Sequence, residues 1–365
     1  MFRLPSFALL ALFIIVVLSC CRQHAPRKSP AGNAPVSNSA IRILSPASGT
    51  VVKSGDSVLI EFQPQQDDIR VDSVVLFSDK HVPVTQAGDQ GIIHWRSGNS
   101  RVGQSTLKLT VHYNDSLSES QHINLVILSD ITPRKYSYRV IAKYPHDQQA
   151  YTQGLVFDNG FLYESTGLEG RSSLRIVNIS TGKPEKIVTL GSGYFGEGIA
   201  LFKDQVYQIT YKTQVGFVYD KKTLQQIRSF DYQIREGWGL TTNGKNLIMS
   251  DGSAQLFFIE PEYYTQIDKL EVFDNKGMVT SLNELEYING KILANIYGEP
   301  YIVVIDPETG KVTGRLDLRD LMPKGSEGDM GKVLNGIAYN PQSRHLYVTG
   351  KDWPVLYEIE VNPLP

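Results

Sequence analysis

Beyond residue 136 the apolar positions fall in short runs broken by Gly, Asp, Asn, Ser and Thr, and no stretch sustains a helical period. The runs form two recurring patterns. In the first, a small turn leads into a strand, a second turn and another strand. It reads Gly154-Leu155-Val156-Phe157-Asp158-Asn159-Gly160-Phe161-Leu162-Tyr163, and recurs at Gly198 to Tyr207, Gly239 to Ile248, Leu285 to Leu293 and Gly336 to Tyr347. In the second, a strand closes on an acid or amide: Ile176-Val177-Asn178, Val218-Tyr219-Asp220, Phe258-Ile259-Glu260, Val304-Ile305-Asp306 and Glu358-Ile359-Glu360. Each pattern occurs five times at a period of about 40 to 55 residues, the length of one four-stranded propeller blade. The expectation is an all-β chain with a five-bladed β-propeller over 136–365. Tyr136 to Lys143 would supply an outer strand that closes the ring against the last blade. The acids ending the second pattern read as turn acids.

Residues 41–130 carry strand-like runs at regular spacing, among them Ser57 to Phe62, Val71 to Phe77, Ile92 to Trp95, Ser105 to Tyr113 and His122 to Leu128. Divided by Gly, Asp, Asn and Ser, they predict a small β-sandwich that loosely resembles bacterial immunoglobulin-like modules. Asp56, Asp67 and Asp68 read as turn acids, and the segment as a spacer or docking module. Residues 1–19 have a short positive start at Arg3 and an apolar run from Phe7 to Leu18, the pattern of an export signal. The end of that run, Val17-Leu18-Ser19-Cys20, resembles a bacterial lipobox, which makes Cys20 the residue to be acylated. Residues 20–40 are rich in Pro, Ala, Ser and Asn and read as a flexible tether. An exported protein, lipid-anchored to a bacterial membrane and facing the periplasm or the cell surface, is therefore expected.

Charge and composition narrow the chemistry. The formal net charge is −2, and no Lys/Arg block forms a basic patch, which argues against a nucleic-acid partner. Cys20 and Cys21 are the only cysteines, so no disulfide framework follows them. Only His146 and His345 lie beyond residue 130, neither in a metal-ligand spacing, which argues against a zinc enzyme.

In a propeller the equivalent loops of all blades meet at one end of the channel. The positions just before each inner strand are Tyr151-Thr152-Gln153, Phe195-Gly196-Glu197, Glu236-Gly237-Trp238, Asn283-Glu284 and Leu334-Asn335. The far ends of the same hairpins add Glu164 to Thr166, Tyr211-Lys212, Asp251, Asn295 with Tyr297, and Lys351 with Trp353. Such a ring of carboxylates, amides, a lysine and aromatics suits a small-ligand pocket. Glu197 stands between two glycines beside aromatic residues. A carboxylate poorly solvated there would have a raised pKa, useful for proton transfer.

The run from Tyr144 to Leu356 resembles the plant-type glutaminyl cyclases, or glutamine cyclotransferases, known from papaya latex and from bacteria. The motifs that carry the resemblance are Tyr-Pro-His-Asp…Tyr-Thr-Gln-Gly-Leu, Glu-Ser-Thr-Gly-Leu-x-Gly-x-Ser-x-Leu-Arg, Phe-Gly-Glu-Gly, Glu-Gly-Trp-Gly-Leu-Thr, Leu-Asn-Glu-Leu-Glu and Asn-Gly-Ile-Ala…Val-Thr-Gly-Lys-x-Trp-Pro. The resemblance implies a five-bladed propeller that converts N-terminal glutamine of peptides and proteins to pyroglutamate with release of ammonia, without a catalytic metal. It matches Glu197 to the family's catalytic carboxylate, Phe195 and Trp238 to pocket aromatics, and Gln153, Asn283 and Lys351 to polar residues of the active site. Tyr211 and Tyr297 stand where plant members carry tryptophan, which bears on pocket size and substrate preference.

The chemistry expected of these residues assigns Glu197 to move the proton from the substrate's α-amine to the leaving nitrogen. Lys351, with Asn283 or Gln153, would hydrogen-bond the developing oxyanion or hold the amide in place. Phe195, Trp238, Tyr211 and Tyr297 would wall the pocket. The alternative is a non-catalytic surface propeller that binds a ligand or partner protein. A metal-dependent lactonase is weaker, since only Glu197, Glu236 and Glu284 could serve as channel carboxylates. No cofactor and a monomer are expected, and a structural calcium in the channel is left open.

Overall fold

The computed structural model describes residues 39–363 except 79–80, 88–90, 99–100 and 327, and only the backbone of 81–87. The signal at 1–19, Cys20 and the tether as far as residue 38 lie outside the described residues. The chain is all-β; its one helical turn among the described residues is the 3-10 segment Arg319–Leu321. No helix there is long and apolar enough to cross a membrane.

Two sheets come first. One holds β1 (Ile41–Ser45), β3 (Ser57–Pro64) and β6 (Ile92–Arg96). The other holds β2 (Thr50–Lys53), β4 (Val71–Ser78), β5 (His81–Ala87), β7 (Gly103–Tyr113) and β8 (Leu117–Leu128), in the order β2-β8-β7-β4-β5. Strict alternation puts Val58, Ile60 and Phe62 of β3 inside, with Ile93 and Trp95 of β6. They pack on Val74, Leu76, Leu107, Leu109, Ile123 and Leu125 from the other sheet, in one buried cluster.

After β9 (Arg134–Pro145) the chain makes four-stranded antiparallel sets in sequence order. They are β10 (Thr152–Asp158), β11 (Phe161–Thr166), β12 (Ser173–Asn178) and β13 (Lys183–Thr189); β14 (Gly196–Phe202), β15 (Gln205–Thr210), β16 (Val215–Asp220) and β17 (Gln226–Asp231); β18 (Leu240–Thr242), β19 (Leu247–Ser250), β20 (Gln255–Ile259) and β21 (Gln266–Glu271); and β22 (Leu282–Ile288), β23 (Lys291–Ile296), β24 (Tyr301–Ile305) and β25 (Val312–Asp317). The last set is β26 (Leu334–Asn340), β27 (His345–Gly350) and β28 (Val355–Asn362), completed by β9. Strand β9 pairs antiparallel with β28 from Tyr144↔Leu356 to Ser137↔Asn362. It also pairs parallel with β25, which joins two sets into an eight-stranded sheet. The first strands form a circuit: β10 contacts β14, β14 contacts β18, β18 contacts β22, β22 contacts β26, and β26 contacts β10.

Turn chemistry follows the residues. Asn159-Gly160 and Asn289-Gly290 link β10 to β11 and β22 to β23 with positive φ at both positions, the two-residue hairpin turn that Asn-Gly favours. Asp220, Glu260 and Asp306 each accept backbone N–H groups two and three residues on. Glu360 differs: it pairs with Arg139 of β9.

The first two sheets are tied to the third and fourth sets. Arg101 forks onto Asp268, the Val102 N–H donates to the Thr309 carbonyl at 2.9 Å, and the Gln104 N–H donates to Glu271 at 2.6 Å. Lys311 Nζ, almost fully buried, reaches Asp130 at 2.8 Å.

Candidate active site

Four of the five inner strands carry a bulge at their front end. Pairing slips between Thr152 and Gly154, Gly196 and Ile199, Leu282 and Leu285, and Leu334 and Ile337. An extra residue in one strand re-aims the side chains beside it. The residues inside these slips include Gln153, Glu197, Asn283 and Asn335, and Trp238 holds the matching place before β18. A glycine follows in four repeats. A Cβ at Gly198 would lie 2.3 Å from the Leu240 nitrogen, and one at Gly239 2.0 Å from the Asn283 carbonyl oxygen. Bare backbone is needed there because neighbouring inner strands touch.

Gln153, Phe195, Glu197, Tyr211, Trp238, Asn283, Tyr297 and Lys351 line one cavity of about 200 Å³, together with Tyr151. The aromatics form a collar. Tyr151 meets Phe195 edge-on at 6.3 Å between centroids, Phe195 meets Tyr211 at 5.8 Å, Tyr211 meets Trp238 at 6.4 Å, and Trp238 meets Tyr297 edge-on at 5.5 Å. Lys351 closes the collar, with Nζ 5.1 Å from the Tyr297 centroid and 4.8 Å from that of Tyr151.

Polar groups cross this collar. Gln153 Nε2 donates to Glu197 Oε1 at 3.1 Å, and Asn335 Nδ2 donates to Gln153 Oε1 at 3.2 Å. Asn283 Oδ1 is buried without a hydrogen-bond partner among the described residues. Glu197 is 5% exposed and Lys351 4%. Burial pushes the Glu197 carboxyl well above the usual range; Lys351 opposes the shift and Glu236 adds to it. Burial likewise lowers the Lys351 ammonium, against the pull of Glu197 and Asp352. Both groups are thus drawn towards their neutral forms. Burial also pushes the Tyr151 phenol up to about 12, which keeps it a neutral hydroxyl.

Several residues expected around the mouth do not line the cavity, among them Glu164, Glu236, Asp251, Glu284, Asn295, Asn335 and Trp353. Glu284 stands where the other repeats have glycine, and its carboxyl accepts the N–H groups of Leu155 at 3.2 Å and Ile337 at 2.9 Å. It ties the first and last inner strands and does not line the cavity. Glu164 is buried in an ion pair with His146. Trp353 turns its indole N–H to the Lys332 carbonyl at 2.8 Å. Tyr151 is a wall residue that the motifs do not single out; its place, matching Phe195 in the next repeat, is the signal for it in the sequence.

The family model described as glutamine cyclotransferase matches residues 109–361. The chain is 40% identical to a glutaminyl-peptide cyclotransferase of Arabidopsis thaliana over 237 residues, 64% of this chain and 73% of the relative. It superimposes on the crystal structure of Myxococcus xanthus glutaminyl cyclase with a TM-score of 0.59 and 35% identity, covering 63% of this chain and 98% of that one. The chain is an enzyme of the glutamine cyclotransferase family.

Proposed function

We propose that this enzyme closes the N-terminal glutamine of peptides and proteins to pyroglutamate and releases ammonia, with Glu197 as the proton shuttle. The observation that carries the reading is a buried carboxyl of raised pKa on the wall of a cavity sized for one residue, held by Gln153 Nε2 and facing the field of Lys351. The neutral α-amine attacks the γ-carboxamide carbon. The new N–C bond forms, the carbonyl oxygen gains charge, and Glu197 accepts the amine proton. Lys351 stabilises the oxyanion. Glu197 then returns the proton to the amide nitrogen, the C–N bond breaks, and ammonia leaves. The aromatic collar excludes water and favours the folded, ring-closing rotamer. Asn283 and Gln153 orient the carboxamide.

The reading is metal-independent. It is supported by the donor set: among the described residues no group of three or more His, Cys, Asp or Glu could hold a metal ion. The five sets are read as blades of a propeller and the first two sheets as an immunoglobulin-like sandwich.

The purified chain incubated with a Gln-initiated peptide should remove the mass of one ammonia, equally with and without chelator. A product of unchanged mass would sink the cyclase reading, and inhibition by chelator would sink its metal independence. Export and lipid anchoring at Cys20 complete the proposal. Cys20→Ala should move the protein from the membrane fraction to the soluble fraction, and unchanged partition would refute the anchor.

A further inference from the structure

His146 and Glu164, which do not line the cavity, form a buried ion pair with both side chains at 5% exposure or less. His146 Nε2 lies 2.9 Å from Glu164 Oε1, and Nδ1 lies 2.7 Å from the Trp353 carbonyl oxygen. Each ring nitrogen therefore faces an acceptor, which an imidazole satisfies at both ends only when doubly protonated. The same Glu164 oxygen accepts the Thr152 hydroxyl at 2.7 Å. Thr152 adjoins Gln153, and its carbonyl accepts Asn335 Nδ2 at 2.9 Å. Trp353 lies two residues beyond Lys351, in a segment also pinned by the Asp352 N–H on the Ala150 carbonyl and the His146 N–H on the Pro354 carbonyl.

We propose that His146, held as an imidazolium, is a positioning residue that fixes Gln153 through Glu164 and Thr152, and Lys351 through the Trp353 carbonyl. It joins the start of the first inner strand to the end of the last hairpin. The gap it spans is the one place in the circuit where first and last sets meet, and it carries three residues of the cavity, Tyr151, Gln153 and Lys351. The charges agree. Burial lowers the imidazolium, but the Glu164 carboxylate, the Trp353 carbonyl and Asp147 more than offset this and raise it. Burial raises Glu164, and His146, Arg175 and the Thr152 hydroxyl outweigh it and lower it. Asp147 is itself held by Arg175 at 2.8 Å, and Asp352 also feels the His146 charge. This pair is thus stabilised as ions, whereas Glu197 and Lys351 are drawn to neutrality.

The inference rests on the cyclase reading, and its test separates the two. Long-range proton–nitrogen NMR of the wild-type chain should show both His146 ring nitrogens protonated at about pH 7.5, above the ordinary histidine range. A neutral imidazole there would overturn the proposal. His146→Gln should lower kcat roughly 10- to 100-fold with KM changed far less, because misplaced groups act on the transition state. Wild-type kcat in a folded His146→Gln variant would also overturn it. Should that variant not fold, Thr152→Val and Thr152→Ser decide: valine should lower kcat and serine restore it, and equal rates for the two would refute the link to Gln153. A wild-type chain that forms no pyroglutamate would instead remove the functional reading, with the NMR result standing on its own.

Discussion

At the residue scale, the central question is which way the proton on Glu197 moves. Removing its acidity while keeping its shape, as in Glu197→Gln, should cut kcat by at least about 10²-fold, the range typical of general acid–base catalysis. The melting temperature should not fall, because an uncharged amide replaces a carboxyl whose ionised form the site disfavours; retention of most of the activity would rule out the shuttle. Activity should rise with pH through the Glu197 pKa, above the ordinary carboxylate range, and fall as Lys351 loses its proton, below the ordinary lysine range. Lys351 lowers the Glu197 pKa, so Lys351→Ala should move the acid limb to higher pH while reducing kcat. A limb that stays in place would show the two groups uncoupled. Gln153, Glu197, Trp238 and Asn283 were legible in the sequence because they occupy one register of a repeat. The His146–Glu164 pair was not, because it occurs in a single repeat and joins residues that no period relates.

Strands and turns carry the next level of control. The alternation and the Asn-Gly turns reveal where strands begin and end, whereas the bulges that aim the functional side chains leave no mark in hydrophobic pattern. The glycines after them are the nearest trace. A methyl group at Gly198 would meet the Leu240 nitrogen and the Gly239 backbone, which cannot swing aside as a side chain could. Gly198→Ala should therefore destabilise the fold by about 1–3 kcal/mol in urea denaturation, in line with overpacking of a close-packed site. Unchanged stability would mean that the inner strands can separate freely. Gly167→Ala acts on function instead. Its Cβ would stand 2.4 Å from the Phe195 ring and 3.0 Å from Gln153 Cγ. KM for a Gln-initiated peptide should rise, and an unaltered KM would mean that Phe195 can shift without cost to substrate binding.

For the whole molecule, the join between the first two sheets and the third and fourth sets suggests one cooperative unit. Arg101, Gln104, Ser129 and Asp130 all find partners across it. Calorimetry should record a single unfolding transition; two separated transitions would show that the join is weak. Arg101→Ala should cost less than about 1 kcal/mol, since that pair is partly open to solvent. Asp130→Ala should cost more, because it strands the buried Lys311 ammonium. The pairing of β9 with β28 has a consequence for biogenesis. Tyr138 lies opposite Val361, so the ladder that completes the last set joins segments more than 200 residues apart. A nascent chain cannot make it until synthesis is nearly finished, and until then β9 and β27 remain open edges. Completion of the last set must therefore follow translation of nearly the whole chain, whereas the earlier sets, built from consecutive strands, can form before it. A chain that stops before Val355 would be left as a sticky, protease-sensitive intermediate, however complete its cavity residues.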